Sequence, residues 1–220
     1  MTIILKAKDI HKTYNNPVKL HILKGINLEL KKNHSIAIMG ASGVGKTTLL
    51  HILGTLESFD TGTLHILNND KPANDIRNKH IGYIFQNYNL LEDLSLLENI
   101  LMPAYIARKN IKKNSPSYKR ALWLLEEVGL EKRADYPAKN LSGGEKQRAA
   151  IARAFCNDPD IILADEPSGN LDHANSKIIH KLLIDSVKKF NKSLIIATHD
   201  KELASLCDEI YILEDVITKI

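Results

Sequence analysis

The chain has 220 residues, 44% of them hydrophobic and 25% charged, with a formal net charge of +4. That length suits one large domain, or one domain with a sub-domain inserted, and the composition is that of a chain able to bury a core. The charge is too small to argue for nucleic acid, and no stretch reaches the ~18 uninterrupted apolar residues of a spanning helix, so any work at a membrane requires a second, spanning chain.

Residues 1–6 hold too short an apolar run for a signal peptide. Residues 1 to about 35 read as β: Ile26, Leu28 and Leu30 alternate with Asn27 and Glu29 in a half-buried strand. Ser35–Met39 is a short apolar run ending at a glycine, which suits a strand buried on both faces. A glycine-rich loop and a helix from 46 to about 56 follow. After a Thr61-Gly62 turn, Leu64 and Ile66 start another strand, and 81–85 forms a further one. From about Asn87 to Phe155 the pattern turns mostly helical, as at Leu122, Leu125, Glu126 and Val128. Within it, 108–117 is basic and polar and holds Pro116, which predicts an exposed loop.

Residues 161–163 are again a buried strand. A helix over 174–190 places Ile179, Leu182, Leu183, Val187 and Phe190 on one face. Strands at 194–196 and 210–213 close the fold. Strands alternating with helices predict an α/β fold with a parallel sheet. The helical middle predicts a sub-domain over 87–155, inserted into a core of 1–86 and 156–220. Cys156 and Cys207 are far apart and outside any C-x-x-C spacing, as for reduced, packed thiols of a cytosolic protein.

Gly40-Ala41-Ser42-Gly43-Val44-Gly45-Lys46-Thr47, followed by Thr48, fits G-x-x-x-x-G-K-S/T between a buried strand and a helix. Glycines let backbone N–H groups turn inward around phosphate oxygens, and the positive end of the following helix faces them too. Lys46 supplies a point charge to the β- and γ-phosphates of ATP, and Thr47 a hydroxyl to Mg²⁺. Further on, an apolar strand runs into Asp165 and Glu166. Asp165 suits Mg²⁺, and Glu166 suits the general base for water attacking the γ-phosphate. Neighbouring strand residues point opposite ways, so the two carboxylates can do different work if the chain bends at Pro167. By itself such a strand end is common; the phosphate loop upstream gives it weight.

Leu141-Ser142-Gly143-Gly144-Glu145-Lys146-Gln147-Arg148 resembles the signature motif of ABC ATPases. An N-cap serine with a flexible turn explains Ser-Gly-Gly equally well. It does not explain the position of the motif, ahead of the acidic strand and behind the phosphate loop. The resemblance covers essentially the whole chain. It implies a P-loop NTPase (RecA-like) core with an N-terminal antiparallel β sub-domain and an inserted α-helical sub-domain. It also implies two copies sandwiching two MgATP, each site taking the phosphate loop of one copy and Ser142, Gly143 and Gly144 of the other.

By the same resemblance, Tyr14 matches the aromatic residue that stacks on adenine. Gln86 matches the glutamine that touches Mg²⁺ and water and links to the membrane subunit. Ser168-Gly169-Asn170-Leu171-Asp172 matches the loop crossing the dimer interface, and His199 the histidine contacting the γ-phosphate. Each alone has a plain alternative: a surface turn for Tyr14, a strand-end amide for Gln86, a solvated histidine for His199. Gln86 and the 87–98 segment are expected to form a groove for a cytoplasmic helix of the membrane partner. Arg108, Lys109, Lys112 and Lys113 read as a solvated loop.

More narrowly, 49–54, 84–91, 97–104 and 163–172 are similar to the lipoprotein-releasing type, and 163–172 equally to the macrolide-exporter and cell-division types. The chain departs from them at Glu214-Asp215-Val216, where the family often has Asp-Gly. The implied protein is an ATPase homodimer that powers a separate transmembrane permease, without nucleic acid. It would sit peripherally on the cytoplasmic face of the bacterial inner membrane. A DNA- or ribosome-remodelling ATPase would carry two cassettes or a coiled coil; a P-loop kinase would lack the signature. A clamp of the cell-division type shares every motif.

Overall fold

A computed structural model describes residues 2–15, 19–67, 69, 74–214 and 216–219, with backbone alone at 74 and 75. β1 (Ile3–Tyr14) pairs antiparallel with β2 (Leu20–Lys31) and with β4 (Thr61–Ile66), giving a three-stranded sheet. The expected alternation holds on β2, where Ile26, Leu28 and Leu30 are buried while Asn27 and Glu29 face solvent. Thr61 and Gly62, expected as a turn, instead begin β4. Gly62 sits at φ 114, and a Cβ there would stand 2.4 Å from Asp9 O. Position 62 therefore admits only glycine, beside the irregular stretch of β1 between Lys8 and His11.

The second sheet has the order β5-β6-β7-β3-β8-β9. β5 (Ile81–Ile84), β6 (Ile161–Asp165), β7 (Ser193–Ala197), β3 (Ser35–Met39) and β8 (Glu209–Leu213) are parallel. β9 (Ile217–Lys219) returns antiparallel to β8 through a turn closed by Glu214 N–H to Val216 O at 3.1 Å. Asp215, part of the departure noted above, lies outside the described residues.

Both faces of this sheet are covered, which is why its strands read as continuous apolar runs. Ile161, Leu163, Ile195 and Ala197 pack toward the three-stranded sheet and α1 (Lys46–Leu53). Ile162, Ala164, Leu194 and Ile196 pack the other way. There they share a core with α3 (Leu96–Ile106), α4 (Pro116–Glu127), α5 (Gly143–Ala154) and α6 (His173–Lys189). Two short helices, α2 (Asn74–His80) and α7 (Lys201–Ala204), complete the fold.

Helix boundaries differ from expectation where caps act. α1 stops at Gly54, packed so closely on Leu163 and Tyr83 that a Cβ would sit 3.0 Å and 3.2 Å from them. Pro116 does not lie in a loop. It opens α4, where its missing N–H costs nothing, behind a Ser115 hydroxyl that accepts the Tyr118 N–H at 3.2 Å. Cys156 is buried and both cysteines are free. Among the described residues no helix is long and apolar enough to cross a membrane.

Candidate functional site

Ligands of parallel α/β sheets bind at the carboxyl ends of the strands. Here β3 runs into the glycine loop, β5 toward Gln86, β6 into Asp165 and Glu166, and β7 into Thr198 and His199. A cavity of about 540 Å³ opens at that edge. It is lined by Gly40, Ala41, Ser42, Gly43, Gly45, Lys46, Thr47, Thr48, Gln86, Glu166, His199 and Ile22. Val44 of the loop does not line it; its side chain packs against the core beneath the three-stranded sheet. Ile22 was not anticipated, because one apolar residue in a strand carries no signal of its own.

The loop is built for an anion. Gly45 precedes α1 at φ 106, where a Cβ would press within 2.6 Å of Ile22 Cγ2. No side chain caps α1 and no acidic residue stands in its first turn, so the N–H groups there remain for a ligand. Lys46 Nζ donates to Gly40 O at 2.9 Å and Ala41 O at 3.0 Å, and lies 3.9 Å from Glu166 Oε1. An incoming phosphate offers that ammonium a charged acceptor in place of neutral carbonyls.

The two carboxylates part company as their neighbouring positions predict. Asp165 ends β6 beside the Thr47 hydroxyl. It is buried, and its Oδ1 has no hydrogen-bond partner. Burial pushes its pKa up, helped by the adjacent Glu166 charge and opposed by the nearby Thr47 hydroxyl. A buried carboxylate with an orphan oxygen is costly unless a cation answers it. Among the described residues no group of three His, Cys, Asp or Glu side chains forms a metal cage.

Glu166 takes φ 42, a left-handed conformation that non-glycine residues seldom adopt and that concentrates at functional sites. Its N–H still bonds Ala197 O at 2.9 Å, so the turn is anchored to the sheet. The carboxylate swings into the cavity. Oε2 accepts the Thr198 hydroxyl at 3.2 Å and the His199 amide at 3.3 Å, and lies 3.0 Å from His199 Nδ1. The His199 side chain is 71% exposed while that of Glu166 is 13% exposed, so the histidine reaches a nearly sealed carboxylate from the open side.

Besides Val44 and Asp165, six expected residues do not line this cavity. Ser142, Gly143, Gly144 and Glu145 form the start of α5, where Ser142 and Glu145 make a reciprocal capping box. Glu145 Oε2 accepts the Ser142 N–H and hydroxyl, both at 2.9 Å, which holds the Glu145 pKa below the usual range. Asp172 caps α6 by accepting the Asn175 N–H at 2.9 Å. Gly144 abuts the same Asn175, whose Oδ1 would be 3.3 Å from an added Cβ. The signature turn and the 168–172 loop thus abut one another, and neither lines the cavity. Tyr14 also stays outside the lining, donating its hydroxyl to Glu57 Oε1 at 2.6 Å.

Gln86 joins the cavity to its neighbours. Asn170 Nδ2 donates to Gln86 O at 3.0 Å and Asn87 Oδ1 at 3.2 Å. A second cavity, about 510 Å³, opens on the other side of this segment, with Phe85, Asn89, Met102, Pro103, Ile106 and Arg153 in its wall. The groove expected from Gln86 and 87–98 is thus narrower in origin. Gln86 itself faces the first cavity, and only Asn89 of 87–98 reaches the second.

Residues 23–169 match the family described as ABC transporter. The chain is 50% identical over 213 residues to the lipoprotein-releasing system ATP-binding protein LolD of Protochlamydia amoebophila, covering 96% of this chain and 93% of that one. It is 45% identical to the protein of the same description from Cytophaga hutchinsonii, over 98% of both chains. Its fold is similar to the dimeric post-hydrolysis structure of the ATP-binding cassette MJ0796 bound to ADP and Pi, with a TM-score of 0.88 and 35% identity over 98% of each chain.

Proposed function

Because the chain belongs to the ABC transporter family, as an ATP-binding and ATP-hydrolysing subunit of the LolD type, we propose that two copies close around two ATP molecules to drive a separate transmembrane partner in lipoprotein release. One observation carries the two-copy reading: the cavity holds the phosphate loop, Gln86, Glu166 and His199, yet no residue of the signature turn lines it. The free N–H groups of Gly143 and Gly144 and the Ser142 hydroxyl would then meet the γ-phosphate bound in the other copy.

Each residue of the pocket has a distinct task. Lys46 leaves its loop carbonyls for the β- and γ-phosphates. Thr198 and the His199 amide fix the Glu166 carboxylate, which takes the proton of the attacking water. The His199 ring reaches from the open side to the γ-phosphate. Gly40–Thr48 supply backbone donors, and Tyr14 offers its ring to adenine. Positioning and positive charge lower a phosphoryl-transfer barrier far more than covalent chemistry does.

The orphan Asp165 oxygen beside the Thr47 hydroxyl suits Mg²⁺, a hard cation that keeps several waters and needs few protein ligands. Thr47, Asp165 and Gln86 would hold it, and when bound it neutralises charge on the phosphates. Asp172 and the rest of the 168–172 loop would cross the interface of the pair. The groove beside Phe85 would take a cytoplasmic segment of the membrane partner, with 87–155 acting as the sub-domain that transmits motion. The protein would thereby sit peripherally on the cytoplasmic face of the inner membrane.

Light scattering tests the pairing. Glu166→Gln keeps the shape of the base but cannot take a proton, so hydrolysis should fall by roughly 10²–10⁴. With ATP and Mg²⁺ that variant is expected to elute as a dimer, and without nucleotide as a monomer. A variant that binds ATP yet remains a monomer at every concentration overturns the reading.

A further inference from the structure

The last turn of α5 carries a cation with no carboxylate opposite it among the described residues. Burial pulls the Arg153 pKa down to about 10. A guanidinium in such a place is costly unless its N–H groups find acceptors. They find backbone: Nη2 donates to Tyr88 O at 2.6 Å and Nη1 to Asn89 O at 2.5 Å. These two residues are consecutive and both left-handed, at φ 62 and φ 50. A left-handed turn aims successive carbonyls to one side, which suits a forked, planar donor. The turn is strained for residues other than glycine and persists only where its surroundings hold it.

The same short segment is held elsewhere too. Asn170 ties Gln86 and Asn87 to the 168–172 loop. The Tyr88 hydroxyl reaches the first turn of α5, where a Cβ built on Gly143 would stand 3.2 Å from it. Segment 86–89 therefore touches four places: the nucleotide cavity through Gln86, the 168–172 loop through Asn170, the signature turn through the Tyr88 hydroxyl, and the far end of the signature helix through Arg153. Arg153 itself lies outside the nucleotide cavity.

We propose that Arg153 is a positioning residue that locks segment 86–89 to α5, so that the two move as one body. A displacement of Gln86 by its own copy's nucleotide would then shift the Ser142-Gly143-Gly144 turn offered to the other nucleotide. This rests on the two-copy reading above. The fork matters more than the charge: lysine keeps the charge but cannot hold two carbonyls in one plane. Coupling between sites is a free energy distinct from affinity at either site, so it can be lost while binding persists.

The experiment compares the parent with Arg153→Lys. ATPase rate is measured against ATP concentration to give a Hill coefficient, melting temperature is recorded, and ATP-driven pairing is followed in the Glu166→Gln background. The parent is expected to be cooperative. Arg153→Lys is expected to pair with ATP but to show a Hill coefficient clearly below that of the parent, keeping only the cooperativity that ATP-driven pairing itself contributes. A merely structural arginine would lower the melting temperature and the rate while leaving the coefficient as in the parent, and that result overturns the proposal. So does a non-cooperative parent. If Arg153→Lys fails to fold, Arg153→Gln replaces it: an amide that cannot fork across both carbonyls must also lower the coefficient, and an unchanged coefficient overturns the proposal. Failure of Glu166→Gln alone to pair locates the fault in the two-copy reading instead.

Discussion

His180 Nε2 stands 2.7 Å from Ser168 Oγ, sealed beneath the loop that follows the acidic pair. Asp200 Oδ2 lies 3.7 Å from the same nitrogen, at the start of α7 just beyond His199. One imidazole from α6 thus touches both the 168–172 loop and the loop carrying His199.

That histidine sets one limb of the stability profile. Burial lowers its pKa, against the pull of Asp200 and Glu202, while nearby His173 adds to the lowering. The unfolded chain then binds the proton more readily, with an ordinary histidine pKa of about 6.5. Stability contributed by neutral His180 is complete above that value and is lost as pH falls through it toward the lowered one. Replacing His180 with Gln, which keeps an acceptor but cannot titrate, should flatten the fall in melting temperature between neutral and mildly acidic pH. A variant that loses stability as steeply as the parent would assign that limb to other groups.

Asp165 makes the opposite trade. Its raised pKa means that the folded state holds the proton more tightly than the unfolded chain does. Ionising it therefore costs stability as pH rises from the ordinary carboxylate range through the raised value, and the cost persists at neutral pH. Asp165→Asn should melt higher than the parent at neutral pH without Mg²⁺, with the difference vanishing in acid. Its ATPase should be lost. An equal or lower melting temperature at neutral pH would mean that the carboxylate is already satisfied in solution.

Gln147 is fully buried on α5, with neither amide atom hydrogen-bonded. The structure offers no physical account of it. An unsatisfied buried polar group costs about 1–3 kcal/mol, and methionine fills a similar volume without that cost. Gln147→Met should accordingly raise unfolding free energy in urea. A loss of stability would show that the amide finds partners in solution.

Strands buried on both faces and the long helix α6 were plain in the sequence, because their patterns are local and long enough to repeat. Thr47, Lys46 and Glu166 could be named from their motifs, and Gln86 and His199 from the family resemblance; each follows a strand that the same parallel sheet aligns. What escaped was non-local or too short. The four residues of α7 and the three of β9 give no periodicity. The left-handed turn at Tyr88 and Asn89 depends on Arg153, which is remote in sequence and meets the turn only after folding. Val44 shows the converse: a motif names a position, but whether the side chain faces ligand or core is decided by the β sheet packed beneath it. Gly62 reads as a turn residue from composition alone; that it lies in a strand follows from pairing with β1, which is remote in sequence, and Asp9 leaves no space there for a Cβ.

Mixing two inactive variants tests the shared site most directly. Lys46→Ala removes the phosphate-loop charge from one copy, and Ser142→Arg blocks the signature turn of another. Each alone should be nearly devoid of ATPase. If each site is built from two copies, a mixed pair places both lesions in one site and leaves the other intact, so activity should return on mixing. If the mixture forms mixed pairs and remains inactive, each chain completes its own site and the account is wrong.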